Sequence, residues 1–278
     1  MKLKLVGVAV LMAVCLTGCS QTRQEAPGPN DKNPKQEMAY QSHYQKNNIL
    51  HNNLERKISI NRVYTKPWKY QNGKRVFKMS KLDYLGRSQA SHIQVRKSQL
   101  PTGKRPEYIT VQPSGWHNYK FWLKDGSKRR YAWLYNRGHL VGYQFCGVNN
   151  DRRNLVTETT YLNQGSLFGM DEQNSNAMLF YENGLRHWIN RHPTWSLDYS
   201  VRPVYYKKDL VPESVVLTFT GYKPNGKQVS VPIKNGKQNK HGKISWVTLI
   251  NASPQAEIDY RTGRAAVYDG NGRKVSNW

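Results

Sequence analysis

Apolar residues along most of the chain come in short runs broken by turn residues, not in long uninterrupted stretches. The strand-forming runs are Ile109–Val111, Tyr131–Leu134, Val201–Tyr206, Val215–Thr220, Ser245–Ile250 and Ala265–Tyr268. Turns such as Asp125-Gly126 and Asn225-Gly226 lie between them, so the pattern predicts several short strands. Residues 174–190 differ. There Met178, Tyr181, Leu185 and Trp188 recur at helical spacing after polar capping candidates, which predicts a helix. It should stop before His192-Pro193, because the residue preceding a proline is pushed out of the helical region. Strands, a loop, one helix and more strands together predict an α+β domain with a mixed or antiparallel sheet core.

The start of the chain follows another rule. Lys2 and Lys4 precede an uncharged, mostly apolar stretch from Leu5 to Gly18. That stretch is shorter than the roughly 20 residues a membrane span needs, and its basic flank marks an export signal. Its ending, Leu16-Thr17-Gly18-Cys19, resembles a bacterial lipobox, which implies lipidation of Cys19 and a membrane anchor outside the cytoplasm. Residues 1–19 are read as this leader. Residues 20–55, rich in Gln, Asn, Pro and Lys, are read as a flexible polar tether, and residues 56–278 as the folded domain.

Charge narrows the choice of partner. Lys and Arg total 43 against 18 Asp and Glu, a formal net charge of +25. Within residues 20–52, Arg23, Lys32, Lys35 and Lys46 nearly cancel Glu25, Asp31 and Glu37, so the excess belongs to the domain. Such a domain should meet something acidic, with nucleic acid, anionic lipid or a cell-wall polymer as candidates. Eight Trp and 18 Tyr supply buried area and argue against wholesale disorder. With Cys15 in the leader and Cys19 lipidated, Cys146 is left without a disulfide partner and is read as a small buried hydrophobe.

The candidate chemistry is concentrated in the middle of the chain. Tyr135-Asn136-Arg137-Gly138-His139-Leu140 is followed by Asn154-Leu155-Val156-Thr157, then Leu162-Asn163-Gln164-Gly165-Ser166, then Glu182-Asn183-Gly184-Leu185-Arg186. Each piece alone is weak. An Arg-Gly-His turn is more often structural, and Glu182 with Arg186 can be a surface ion pair of small worth. In this order, however, they resemble the DNA/RNA non-specific endonucleases, which are ββα-metal or His-Me finger nucleases. Leu82-Asp83-Tyr84-Leu85-Gly86-Arg87, Gln112-Pro113-Ser114-Gly115-Trp116 and Ile258-Asp259-Tyr260-Arg261-Thr262-Gly263 extend the resemblance over residues 80–265. One departure stands out: the family's commonest turn is Asp-Arg-Gly-His, and here position 136 is Asn.

The resemblance implies a ββα-metal finger that carries the site and cuts DNA, and RNA as well. His139 would be the general base. A neutral imidazole can take a proton from water near neutral pH, and a basic surrounding field should hold its pKa down. Asn163 would hold one Mg²⁺ directly, with Mn²⁺ as a substitute, and Glu182 would hold the ion through a water. Arg186 would contact the phosphate, and Asn154 would position either the His139 loop or the phosphate. Arg137 is read equally as a phosphate contact or a structural turn residue. Lys104 and Arg105 lie in a loop where relatives bind the DNA backbone, although a solvated basic loop is as good a reading. Lys128-Arg129-Arg130 and the pair Arg152, Arg153 would extend the electrostatic track. His187 and His192 are five apart and suit no helical zinc pair, and His92, His117 and His241 have no evident partner. The alternatives are a catalytically weak or inactive lipoprotein that captures DNA, and a cationic lipoprotein that binds wall polymers. A protein inhibitor as partner would leave no mark in this chain.

Overall fold

The structure is a computed structural model that describes residues 64–125, 128–239, 241–269 and 273–275. The expected leader, Cys19 and the tether lie outside the described residues.

The main sheet is built from β1 (Val76–Met79), β2 (Ser91–Arg96), β7 (Ser196–Val204), β8 (Ser214–Tyr222), β11 (Ser245–Ile250) and β10 (Lys237–Gln238), hydrogen-bonded in that order. β9 (Gln228–Val229) adds to β8. Two hairpins, β3 (Lys120–Asp125) with β4 (Lys128–Trp133) and β5 (Tyr135–His139) with β6 (Leu155–Thr159), stand apart from it. So does a three-stranded sheet of β12 (Ala256–Ile258), β13 (Ala265–Tyr268) and β14 (Lys274–Val275). Every pairing among the described residues is antiparallel. The α-helices among the described residues are α1 (Tyr143–Cys146), α2 (Thr160–Gln164) and α3 (Met178–Arg191).

Burial follows the residue pattern. β8, apolar or small throughout, is covered along its whole length, whereas β11 alternates buried and partly buried positions, as a one-sided strand should. The apolar face of α3, carrying Met178, Tyr181, Leu185 and Ile189, packs with Leu197 and Leu217 of the main sheet into one core. A second cluster of Phe121, Leu134, Tyr135 and Val267 joins the two hairpins and the three-stranded sheet.

The structure departs from several sequence expectations. Ile109–Val111 forms no strand, because the N–H groups of Thr110 and Val111 both donate to Oδ1 of Asn150, at 3.1 and 3.0 Å. The helix starts at Met178 and not at 174. Asn174, one of the polar residues ahead of the helix, accepts from Asn176 N–H at 3.0 Å and donates to the Gly165 carbonyl at 2.8 Å, which fastens the preceding loop. The Arg-Gly-His segment is not a turn but the end of β5. His92, without an evident partner in the sequence, meets Asp198 at 2.6 Å under the stacked ring of Trp68, and Gln94 donates to the other Asp198 oxygen. Cys146 is buried as expected, and burial pushes its thiol up to about 11.

Candidate active site

The β5–β6 hairpin sets the register of the site. Asn136 lies opposite Glu158, Arg137 opposite Thr157, Gly138 opposite Val156 and His139 opposite Leu155. Beyond His139, three successive backbone N–H groups are claimed by two residues, Asn154 and Glu182. Leu140 donates to the Asn154 carbonyl at 2.8 Å and Val141 to Asn154 Oδ1 at 3.1 Å. Gly142 donates to Glu182 Oε1 at 2.9 Å. The chain leaving His139 is thereby fastened to β6 and to α3. Asn154 is fully buried and also donates to the Val141 carbonyl at 2.9 Å, so of its two expected roles the structure supports positioning of the His139 segment.

His139 is 8% exposed. Its Nε2 meets the Asn149 carbonyl at 2.9 Å, and a carbonyl only accepts, so Nε2 carries the ring proton and Nδ1 presents its lone pair. Arg105 Nη2 stands 3.5 Å from that Nδ1. Asn149 is the hub: its side chain accepts from Arg105 Nε at 2.9 Å and donates to the carbonyls of Pro106 and Tyr108. Burial, with the Arg105 charge second, holds the His139 pKa down to about 4, against the small opposing effect of the Asn149 bond. The basic field expected from the sequence is thus present, though burial is the larger cause.

α3 places Glu182 and Arg186 one turn apart. Glu182 Oε1 also accepts from the Tyr199 hydroxyl at 3.3 Å, and Oε2 from Gln144 Nε2 at 3.4 Å. Burial raises this carboxyl to about 7 despite those donors. Gly142 is required there because a Cβ would run into the Glu182 carboxyl. Arg186 donates Nη1–H to the Gln144 carbonyl at 3.1 Å, so α1 ties both α3 side chains to the His139 segment.

Asn163 sits half-buried on α2, which packs against β5, β6 and α3. The helix is capped at its start by Thr159, whose Oγ1 accepts from Leu162 N–H at 3.0 Å, and at its end by Gly165 at φ 88°. Among the described residues no three His, Cys, Asp or Glu side chains group so as to hold a metal. A thiolate or imidazole cage of the structural zinc type is therefore not what these residues make. The oxygen-bearing side chains that these elements carry are the Asn163 amide on α2, the Glu182 carboxyl on α3 and the Glu158 carboxyl on β6. Neither Glu158 oxygen has a hydrogen-bond partner in the buried interior. Such a set fits a small divalent cation that keeps several waters and completes its shell with substrate phosphate.

The other expected residues divide. Arg137 is half-buried with its guanidinium 4.4 Å over the Trp116 ring. Arg105 joins His139, whereas Lys104 is exposed. Arg152 is exposed at the edge of an open cleft of about 480 Å³ that also touches Trp116 and His117. Arg153 is held by Asp151 at 2.6 Å, which offsets its contribution to a cationic track. Arg130 lies 5.6 Å from the Phe168 ring. His117 meets the Thr262 carbonyl at 3.0 Å. Glu158, Asn149, Gln144 and Tyr199 were not expected. For Glu158 the available signal was an acid in the otherwise uncharged run Leu155-Val156-Thr157-Glu158-Thr159. Asn149 and Tyr199 act through long-range contacts and leave no such mark.

Known proteins resemble the chain in fold and in sequence. An extracellular endonuclease of known structure is 31% identical, with a TM-score of 0.59, over 74% of this chain and 92% of its own. An extracellular nuclease is 29% identical, TM-score 0.58, over 73% and 98%. NucA from Streptococcus agalactiae, solved with a magnesium ion bound, shares the fold at 20% identity, TM-score 0.55, over 78% and 96%. No curated protein matches the chain. Residues 68–221 match the description of the DNA/RNA non-specific endonucleases, and the chain belongs to that family.

Proposed function

We propose that this protein is a metal-dependent, sugar-non-specific endonuclease that hydrolyses phosphodiester bonds of DNA and RNA outside the cytoplasm, with His139 as general base. The observation that carries the reading is the His139 tautomer. Its Nε2–H is committed to the Asn149 carbonyl, so Nδ1 is left basic beside the cationic Arg105. A water placed between Nδ1 and the phosphorus would give up its proton to His139 as its oxygen attacks. The bond to the leaving 3′-oxygen then breaks.

Arg105 and Arg186 would take up the charge that develops on the phosphate oxygens. Their pull on a bound phosphate also answers the low His139 pKa. Once a phosphodiester anion offsets Arg105, the imidazole becomes a stronger base at the step that needs one. Asn163 would hold the divalent cation, Mg²⁺ or Mn²⁺, and Glu182 would hold it through a water; the ion supplies positive charge to the phosphate and the leaving oxygen. Contacts limited to phosphate and sugar position the strand without reading its sequence, so little base preference is expected.

The names of the similar extracellular nucleases and the Leu16-Thr17-Gly18-Cys19 ending support export and a lipid anchor at Cys19. His139, Asn163, Glu182 and Arg186 are all present, which favours catalysis over simple DNA capture. The test is supercoiled plasmid and single-stranded RNA incubated with the full chain, with Mg²⁺ and with chelator. Cutting of both substrates that chelator abolishes is expected. DNA retention without cutting in Mg²⁺, Mn²⁺ and other divalent ions would reverse the assignment to surface DNA capture.

A further inference from the structure

Glu158 is the one acid of the β5–β6 hairpin, and the fold treats it unusually. It is fully buried, yet neither carboxyl oxygen has a hydrogen-bond partner. A buried polar group without a partner is costly and asks for an ion or water to satisfy it. The carboxyl lies over Gly138, where any Cβ would run into it, so the bare glycine beside His139 makes the room it occupies.

Its neighbours lead to the cation donor. Asn136 faces Glu158 across the hairpin, and its Nδ2 donates to Gln164 Oε1 at 3.3 Å. Gln164 follows Asn163 on α2. Strand register and one side-chain bond thus link Glu158, through Asn136, to the helix that carries Asn163, and that helix packs against both strands of the hairpin. The Glu182 carboxyl acts on it electrostatically and, with burial, disfavours its charged form. Two carboxyls that repel one another, one without any donor, form a place that a cation would stabilise and a neutral core would not.

We propose that Glu158 is a second positioning carboxylate of the cation site, which holds a water of the ion's shell from the hairpin side as Glu182 does from α3. The proposal rests on the metal-dependent nuclease reading above. It gives Asn136, an uncharged residue, a charged partner directly opposite, so the negative charge of this part of the site is carried on β6 instead of β5.

The test is Mn²⁺ binding to the full chain by calorimetry, with wild type, Glu158→Gln and Glu158→Asp compared at one pH. Gln keeps the shape and removes the charge. Expected is a loss of about tenfold or more in Mn²⁺ affinity for Glu158→Gln, the usual effect of removing an outer carboxylate, with an unchanged or higher Tm of the metal-free chain. Glu158→Asp should fall between the two. Gln affinity within twofold of wild type would overturn the proposal. Should Glu158→Gln fail to fold, the Asp variant decides: a severalfold loss supports the proposal and wild-type affinity overturns it. Chelator-sensitive cutting by the wild type sustains the nuclease reading whatever Glu158→Gln does. Cutting by a wild type that binds no metal would overturn both.

Discussion

Arg105 brings its guanidinium to 3.5 Å from Nδ1 of His139, the ring nitrogen that carries no proton, although 34 positions separate the two residues. The contact gives Arg105 two tasks of opposite sign. Alone, its charge opposes protonation of the base. With a phosphate present, it draws the substrate to that base. Arg105→Gln should therefore lower kcat/KM by about tenfold to a hundredfold, the scale for losing one stabilising donor. It should also move the acidic limb of the kcat/KM profile to higher pH, because a lost positive neighbour makes His139 easier to protonate. A pH–rate profile of the variant beside wild type checks both effects.

Stability should record the same pKa. His139 titrates near 4 in the folded chain, below the ordinary 6.5 of an exposed imidazole. Between those values the unfolded chain binds the extra proton, so stability is fully present above pH 6.5 and is lost as pH falls toward 4. Going from pH 7 to pH 4.5 should remove about 2 kcal/mol on this account alone. His139→Gln, which cannot titrate, should lose that much less over the same interval. Urea unfolding of both proteins at the two pH values measures the difference.

Asn154 holds the backbone of Val141 by both its donor and its acceptor. Asn154→Ala leaves that N–H unpaired in the interior and leaves the C=O with the Cys146 thiol alone, 3.3 Å away, at a cost of about 1–3 kcal/mol. Nucleic-acid binding by the folded fraction should survive better than cutting, because the segment set loose carries His139 and not the exposed cations. Thermal melts read the first effect, and gel retention beside plasmid cutting reads the second.

Gly138→Ala should destabilise by about 1–3 kcal/mol through collision with the Glu158 carboxyl. The collision is specific, so the cost should shrink when the carboxyl is removed. In a Glu158→Ser background the same Gly138→Ala change should be better tolerated, and a double-mutant cycle on denaturation free energies would return a coupling above about 0.5 kcal/mol. Additive costs would show that Gly138 serves backbone geometry instead.

Local patterns in the sequence carried the parts of the fold that depend on local physics. The 3.6-residue spacing of Met178, Tyr181, Leu185 and Trp188 marks the buried face of α3, and the runs at 215–220, 245–250 and 265–268 fall within β8, β11 and β13. β5 escaped notice because Asn136, Arg137 and Gly138 are poor strand formers, and cross-strand pairing with β6 overrides that preference. Ile109–Val111 has strand-forming residues but loses its N–H groups to Asn150, a contact forty positions away. The site shows the same division. His139, Asn163, Glu182 and Arg186 are proposed from motif order. Arg105 as the neighbour of the base, Asn149 as the hub and Glu158 as the buried acid depend on tertiary contacts that spacing does not encode.

The central claim is that His139 removes a proton in phosphodiester cleavage, and a single substitution isolates it. His139→Ala in the full chain would be compared with wild type for initial rate of supercoiled plasmid cutting in Mg²⁺, with DNA retention measured on the same preparations. The account predicts a loss of about a hundredfold to ten-thousandfold in rate with retention preserved, the range that general-base catalysis supplies. A variant that retains DNA and cuts it at the wild-type rate would contradict the assignment of His139 as the base.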